Sequence, residues 1–190
     1  MARASLKEQL VTGSAPVFLE RGFNAASVND IVRAAGVPKG SFYNHFASKE
    51  QLATEVLRRY VDDLGLRELA DLDGSPLQQI HEHLTANIAA REATGIEYGC
   101  LLGNFSTDAV AFNDGLREAV TQGFARWVDA VAIAVGRAQA AGEIRNATDA
   151  RTLAGYLVTS FEGAIAQAKT LRNDGPIADF LSVTFDTVLH

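Results

Sequence analysis

The chain has 190 residues, of which 47% are hydrophobic and 21% charged, ordinary values for a soluble globular protein. This composition excludes a disordered or fibrous protein, and the net charge of −6 argues, for the chain as a whole, against a nucleic-acid-binding protein. Residues 1–50, however, carry a net charge of +2, and residues 51–190 carry −8. This asymmetry indicates different partners for the two parts of the chain.

No segment of the sequence is typical of membrane insertion or secretion. The longest strictly apolar run, residues 130–135, is far shorter than the roughly 20 residues that cross a bilayer. The first residues lack the apolar stretch of a secretory signal. The single cysteine, Cys100, cannot form a disulfide within the chain. We therefore expect a cytoplasmic protein with no membrane partner.

Apolar residues recur at helical spacing almost throughout the chain, without strand alternation and without a useful internal repeat. We predict an all-α protein of about nine helices. In chain order, helices are expected over residues 6–21, 28–35, 39–45, 48–64, 76–93, 113–141, 148–172 and 176–189, with an irregular or short helical stretch between residues 99 and 106.

Two residues disturb the first predicted helix. Gly13 and Pro16 both lie in its interior, and a proline there removes one backbone hydrogen bond. In a regular helix interior this costs about 3 kcal/mol. We therefore expect a kink or a late start in the first helix.

Residues 27–52 hold most of the functional information. Two short predicted helices, joined by a turn at Gly36, have the pattern of a helix-turn-helix, whose second helix enters the major groove of DNA. Phe42 and Phe46 lie four residues apart and can anchor this second helix on the core. Its hydroxyl, amide, imidazole and ammonium groups must then project elsewhere, and such groups suit phosphate oxygens and base edges.

This stretch closely resembles the DNA-binding domain of TetR/AcrR-type transcriptional repressors. The matching positions are Gly40, Tyr43, His45, Phe46, Lys49, Glu50 and Leu52. The resemblance implies a helix-turn-helix DNA-binding domain over residues 1–50 and a helical effector-binding and dimerisation domain over residues 51–190. It also implies a homodimer that binds a near-palindromic operator in double-stranded DNA.

The resemblance further implies which residues contact DNA. Phosphate contacts are expected from Tyr43, His45 and Lys49, from the helix start at Ser27 and Val28, and from Arg3 on a flexible arm. The residues expected nearest the bases are Lys39, Gly40, Ser41 and Asn44. Asn44 is the best candidate for direct readout, because an amide can pair bidentately with adenine.

The last two predicted helices carry an apolar stripe. In the family these helices form the dimer interface, which makes the stripe the expected contact surface. Periodicity alone does not separate an interface from a core, so burial within one protomer remains the alternative. The stripe consists of Leu153, Leu157, Phe161, Ala164, Ala168, Ile177, Leu181, Thr184 and Val188.

Residues 98–105 read YGCLLGNF, which resembles a segment of a TetR subgroup that includes repressors responding to reactive electrophiles. Cys100 is then either a sensing thiol, which needs a lowered pKa, or a buried cysteine acting as a small hydrophobe. Effector pockets in helical proteins are largely apolar with a few polar anchors, although large aromatic residues also dominate ordinary cores. The pocket candidates are Cys100, Asn104, Phe124, Trp127 and Tyr156.

Other chemistry finds little support in the sequence. His81 and His83 are two positions apart on a helix, so their rings point about 200° apart and cannot easily share one metal ion. No phosphate loop, nucleotide fingerprint or metal-ligand cluster is present. We expect no cofactor, no metal and no enzyme activity. The favoured function is a repressor released from its operator by a small-molecule or electrophile effector. The alternatives are an enzyme using Cys100 and a small-molecule carrier.

Overall fold

The computed structural model describes residues 5–70, 73–109, 111 and 113–190, so that Arg3 lies outside the described residues. This part contains nine α-helices and no strand, which confirms the all-α prediction. Short 3₁₀ segments at Glu68–Ala70 and Ile96–Tyr98 and a π-helical turn at Thr184–Val188 complete it. The helices are α1 (Leu6–Ala25), α2 (Val28–Ala34), α3 (Lys39–His45), α4 (Lys49–Asp62), α5 (Pro76–Thr94), α6 (Leu101–Asp108), α7 (Asp114–Ala140), α8 (Ala150–Leu171) and α9 (Gly175–Val183).

The chain forms two compact units. The first contains the chain up to Val61 together with Leu101–Gly123, and the second contains Asp62–Cys100 and Phe124–His190. The predicted boundary at residue 50 falls inside α4, whose buried apolar face belongs to the first unit as far as Val61. The compact unit therefore extends beyond the expected boundary, and the functional division at residue 50 stays a prediction.

Helix α1 runs without interruption past Gly13 and Pro16, so the expected kink or late start there is wrong. A Cβ atom at Gly13 would lie 2.6 Å from the Ala35 Cα, which shows that glycine allows the end of α2 to approach α1. Pro16 lies on the exposed side of the helix. The backbone departs from helical geometry later, at Gly22, where φ is 71°.

Aromatic side chains form the centre of the first unit. Phe18 and Phe105 are fully buried, and their ring centroids lie 5.5 Å apart in an edge-on arrangement. Phe105 also meets the ring of Phe23 at 6.0 Å. Because Phe105 belongs to α6, these contacts pack α6 onto the end of α1 within one core.

The second unit is built around Trp127 of α7 and Phe161 of α8, which are both fully buried. Their rings meet edge-on at 5.9 Å, and Phe161 contacts Phe180 of α9 at 5.5 Å. Helix α5 adds Ile80, Leu84 and Ile88 to this core. Within the described ranges, no helix is long and apolar enough to span a membrane.

Candidate DNA-binding face and effector region

Helices α2 and α3 form the expected helix-turn-helix. Helix α2 begins with a capping box, in which the Ser27 hydroxyl accepts from the Asp30 N–H at 3.1 Å and the Asp30 carboxylate accepts from the Ser27 N–H at 3.1 Å. The chain then turns at Gly36, whose φ of 65° lies in the left-handed region that favours glycine. Val37 is buried in the turn, and Pro38 precedes the first residue of α3.

Helix α3 has one buried and one exposed face. Phe42 and Phe46 are 0% and 3% exposed, as expected for residues that anchor the helix. A Cβ atom built at Gly40 would have no heavy atom within 4 Å, so another molecule can approach the backbone closely there. We call the exposed residues of this helix the reading face: Lys39, Gly40, Tyr43, Asn44 and His45.

Two of the expected DNA contacts lie in other surroundings. Ser41 is only 8% exposed and belongs to the buried face of α3, and its place near the bases stays a prediction. At the start of α2, the N–H and hydroxyl of Ser27 both bind the Asp30 carboxylate. A phosphate at Ser27 and Val28 would meet this carboxylate, whose pKa is lowered mainly by the hydrogen bonds from Ser27.

Lys49 is engaged inside the protein. Its ammonium donates hydrogen bonds to the carbonyl oxygens of Phe23 at 2.7 Å, Ala26 at 2.9 Å and Asn24 at 3.5 Å. It also lies 4.3 Å from the centroid of the Phe23 ring. The ammonium is therefore bound to backbone carbonyls in this conformation, and the phosphate contact of Lys49 stays a prediction.

One basic residue near α3 was not predicted from the sequence as a DNA contact. Lys7 is exposed, and its ammonium lies 5.7 Å from the centroid of the Phe46 ring at the end of α3. The sequence showed its charge but contained no signal that would bring residue 7 close to residue 46. This contact places a cation beside the residue that directly follows α3.

The five predicted effector residues differ in burial and belong to both compact units, so their shared pocket stays a prediction. Trp127 and Cys100 are buried in the second unit, at 0% and 2% exposure, whereas Tyr156 is 50% exposed on α8. Phe124 is half-buried in the second unit. Asn104 is also half-buried, but it belongs to α6 in the first unit.

Helix α5 carries a stripe of buried polar residues that was not predicted from the sequence. His83, Asn87 and Arg91 follow one another every four residues and are 7%, 7% and 6% exposed. The Trp127 indole donates to the His83 Nε2 at 2.8 Å, and burial lowers the pKa of His83 to about 4. The Asn87 amide donates to the Leu64 carbonyl at 3.1 Å. The four-residue spacing was the available signal, but polar residues on a helix are usually exposed.

At the far end of this stripe lies a buried ion pair. An Arg91 Nη2 is 3.9 Å from a Glu162 carboxylate oxygen, and the Arg91 guanidinium lies over the Phe161 ring at 5.4 Å. The Cys100 thiol hydrogen-bonds to Glu162, whose pKa is raised by burial against the opposing effects of Arg91 and of that hydrogen bond. Cys100 is therefore a buried thiol beside an acidic group, with little access for a ligand.

A cleft opens beside the other end of the stripe. It has a volume of about 560 Å³ and lies between α5 and the segment that precedes it. Its charged lining residues are the acidic Glu68, Asp73 and Glu82, and the buried His83 and Asn87 also reach it. No group of three or more His, Cys, Asp or Glu residues suited to a metal ion occurs in the described ranges, and His81 is exposed while His83 is buried.

The predicted dimer stripe is placed mostly inside the protomer. Seven of its nine residues are buried within the protomer, and Leu181 and Val188 are half-buried, which favours a role in the core for most of the stripe. Ala164 and Thr184 nevertheless line the groove described next, and the role of the stripe in dimerisation stays a prediction. A neighbouring face of the same helices is open, and we call it the α8/α9 groove, which has a volume of about 440 Å³. Its lining includes Tyr156, Ser160, Gly163 and Gln167 of α8 and Pro176, Asp179 and Val183 of α9.

Comparison with known proteins identifies the family. Residues 10–56 match the family described as bacterial regulatory proteins, tetR family, and residues 76–184 match the tetracyclin repressor-like C-terminal domain. The HTH-type transcriptional repressor DhaR of a Mycobacterium species is 36% identical over all of this chain and 95% of its own length. The transcriptional regulator AcuR of Cereibacter sphaeroides is 32% identical over 93% of this chain and 83% of its own length.

A solved structure agrees with these matches. The regulatory protein TetR from Rhodobacter sphaeroides superposes with a TM-score of 0.85 at 29% identity, covering 95% of this chain and 97% of that one. Both the helix-turn-helix and the helical remainder of the chain therefore have counterparts in the same proteins. The chain belongs to the TetR family of bacterial transcriptional regulators.

Proposed function

We propose that this protein is a dimeric transcriptional repressor that leaves its operator when a small-molecule effector binds. The observation that carries the proposal is the reading face, a cluster of exposed polar side chains on a helix anchored by Phe42 and Phe46. The relative DhaR, a transcriptional repressor by name, aligns over the whole chain and supports the same function. Because its proposed partner is operator DNA, we expect the protein to act in the cytoplasm.

The DNA contacts follow from exposure. Lys39 and Asn44 are both exposed on α3 and would meet base edges, with Asn44 able to pair with adenine. Tyr43, which is 62% exposed, and His45 would donate to phosphate oxygens. Gly40 would let the duplex backbone approach the helix. Lys7 is an additional candidate for a phosphate contact because its ammonium lies beside Phe46.

We propose the α8/α9 groove as the dimer interface. Tyr156 and Val183 are about half exposed at its rim, with 50% and 51% of their surface accessible. Gly163 leaves open space where a Cβ would stand, which allows close approach of a second helix. Two copies of this face would form a symmetric, self-complementary contact, the usual arrangement of homodimers.

We further propose that the effector binds non-covalently in the cleft beside α5. Three carboxylates and two glutamines line it, which favours a cationic or hydrogen-bond-donating small molecule over an anion. His83 and Asn87 connect the cleft to the core through Trp127 and Leu64. Cys100 is 2% exposed and hydrogen-bonded to Glu162, so we do not assign it covalent sensing.

A binding titration tests the DNA-binding proposal. Fluorescence anisotropy is measured with DNA from the protein's own promoter and with an unrelated duplex of equal length, each at several salt concentrations. The proposal predicts tighter binding to the promoter and a linear fall of log affinity with log salt. Equal affinity for the two duplexes, or affinity that does not depend on salt, would contradict it.

Two variants test the proposed dimer interface and the proposed mode of effector binding. Gly163→Arg places a charged side chain in the α8/α9 groove, so sedimentation velocity should show a monomer, while Gly155→Arg, also on α8 with open space at its Cβ, is the control. The variant Cys100→Ser tests the non-covalent mode of effector binding. It should still be released from operator DNA when the effector is added, as measured by fluorescence anisotropy. If Gly163→Arg is still a dimer, the α8/α9 groove is not the interface. If the effector no longer releases Cys100→Ser from DNA, the hypothesis that Cys100 senses the effector covalently is supported instead.

A further inference from the structure

The end of α1, shortly before α2 begins, is held from two sides by residues distant in sequence. Asp108 at the end of α6 and Lys49 at the start of α4 both bind the backbone of residues 22–26. We call these two side chains and this segment the joint, and all of it lies in the first unit. Helix α2 begins at Val28, so the joint lies directly before the helix-turn-helix.

Asp108 holds one side of the joint. One oxygen of its carboxylate accepts from the Phe23 N–H at 2.8 Å, and its backbone carbonyl accepts a hydrogen bond from the Asn24 side chain. The Phe23 N–H can reach the carboxylate because Gly22, with φ at 71° and ψ at 173°, departs from the helix. A Cβ atom on Gly22 would collide with the same carboxylate oxygen. Glycine at this position thus provides both the backbone conformation and the space.

Lys49 holds the other side. Its ammonium donates to the carbonyls of Phe23 and Ala26 at 2.7 and 2.9 Å, where α1 ends. Asp108 and Glu50 attract the ammonium electrostatically and oppose the burial that lowers the pKa of Lys49. The segment is therefore bound through an N–H by an anion and through its carbonyls by a cation.

Packing reinforces these polar contacts. Phe105 lies three residues before Asp108 on α6, on the same side of the helix, and its ring meets the rings of Phe18 and Phe23. Helix α6 thus contacts the end of α1 through the Phe105 ring and the Asp108 carboxylate. The last residues of α1 cannot rotate without breaking several of these contacts at once.

We infer that Asp108 and Lys49 are positioning residues for operator binding, which fix the direction in which α2 and α3 leave α1 without touching DNA. This inference rests on the proposed DNA-binding function. A displaced reading face keeps its charge but loses its alignment with the base edges. Loss of the joint therefore weakens specific binding while leaving non-specific binding, which depends on phosphate charge, nearly unchanged.

The test begins with duplexes selected from random-sequence DNA by the wild-type protein. Failure to enrich any sequence would contradict the proposed function itself, separately from this inference. With an enriched duplex in hand, affinity for it and for unselected random-sequence DNA is measured over a range of salt concentrations. The variants are Asp108→Ala and Lys49→Met, with Asp114→Ala as the control because Asp114 is an exposed carboxylate of the same unit.

Both joint variants should lose about tenfold in the ratio of specific to non-specific affinity, comparable to one mismatched base pair. Their salt slope should equal that of the wild type. Asp108→Asn keeps an acceptor for the Phe23 N–H, so its ratio should fall by only about threefold. By contrast, Lys39→Met on the reading face should weaken binding to both DNAs and reduce the salt slope by about one.

Folding is checked by circular dichroism at the assay temperature, because a partly unfolded variant loses specific and non-specific affinity in the same proportion. If Asp108→Ala does not fold, Asp108→Asn is tested in its place. Because this variant loses the charge, its ratio of specific to non-specific affinity is expected to fall by about threefold. An unchanged ratio in the folded variants would overturn the inference. So would a reduced salt slope for Lys49→Met, which would identify Lys49 as a phosphate contact.

Discussion

Helices α3 and α5 both carry several polar side chains, but these side chains lie in opposite surroundings. On α3, the side chains of Lys39, Asn44 and His45 are exposed and make no hydrogen bond or ion pair with another side chain in the described ranges. On α5, His83 and Arg91 are buried and bind Trp127 and Glu162. The polar groups of α3 are thus available to a second molecule, whereas those of α5 hold the protomer together.

Because of this difference, substitutions of buried and of exposed polar residues should affect stability differently. Removing a buried, partnered group leaves the other partner desolvated, which lowers the free energy of unfolding by several kcal/mol. Removing an exposed side chain changes stability little and affects only what it binds.

Arg91→Met should give the largest effect. It leaves the Glu162 carboxyl buried without its cation, which is expected to lower the free energy of unfolding by about 3–5 kcal/mol. Urea denaturation measures the loss. The matched control is Arg117→Met, which breaks an exposed ion pair with Asp114 and should change stability by less than about 0.5 kcal/mol.

The double variant Arg91→Met with Glu162→Leu sharpens this prediction. Removing both charges replaces a buried ion pair by apolar groups, which is often neutral or stabilising. Most of the lost stability should therefore return. Equal stability of Arg91→Met and the wild type would show that the ion pair is not buried in solution.

His83 should make the stability depend on pH. Its pKa is lowered to about 4 by burial, whereas in the unfolded chain it is about 6.5, so between these values the unfolded state binds more protons. The free energy of unfolding is therefore highest above pH 6.5 and should fall by roughly 3 kcal/mol as the pH drops to 4.

Urea denaturation between pH 7 and pH 4 measures this dependence, with His83→Gln as the comparison. Acidic residues also titrate at the lower end of the range, so the contribution of His83 is the difference between the two curves. The curve of the variant should be flatter. Parallel curves would mean that His83 is exposed and titrates normally.

Two glycines in the first unit should respond oppositely to substitution by alanine. A Cβ atom at Gly13 would collide with Ala35, so Gly13→Ala is expected to cost about 2 kcal/mol of unfolding free energy through overpacking. Gly40 lies in α3 with open space around it, so Gly40→Ala should stabilise by about 0.5 kcal/mol through helix propensity. Thermal denaturation compares the two variants. A neutral Gly13→Ala would contradict the close packing of α1 on α2.

The smallest effect on stability is expected for the reading face itself. Lys39→Met removes an exposed ammonium, so the free energy of unfolding should change by less than about 0.5 kcal/mol. DNA affinity should nevertheless fall. Denaturation and anisotropy on the same preparation measure both quantities, and a large loss of stability would show that Lys39 supports the fold.

The sequence predicted the helix-turn-helix well because its determinants are local. The Ser27 cap, the Gly36 turn and the anchors Phe42 and Phe46 all lie within 20 residues, and each is found where it was expected. The surroundings of Ser41 and Lys49 were not predictable in the same way. Whether a polar side chain faces DNA or the protein depends on neighbours such as Phe23, which lies 26 residues from Lys49.

The remainder of the chain was less predictable because its contacts link distant segments. Trp127 meets His83 across 44 residues, and no pattern along the sequence encodes that hydrogen bond. The stripe of α8 and α9 was correctly identified as apolar, and its Phe161 packs against Trp127 and Phe180 within the protomer. Periodicity reports only which residues share a face.

The most direct test of the reading face is the base preference of Asn44→Ala. Selection from random-sequence DNA is carried out in parallel with the wild type and with this variant, and the enriched sequences are compared position by position. We expect the variant to lose discrimination at one base pair of each half-site, by about 1–3 kcal/mol, and to keep its preferences elsewhere. Identical preferences for the two proteins would contradict base recognition by Asn44 on the exposed face of α3.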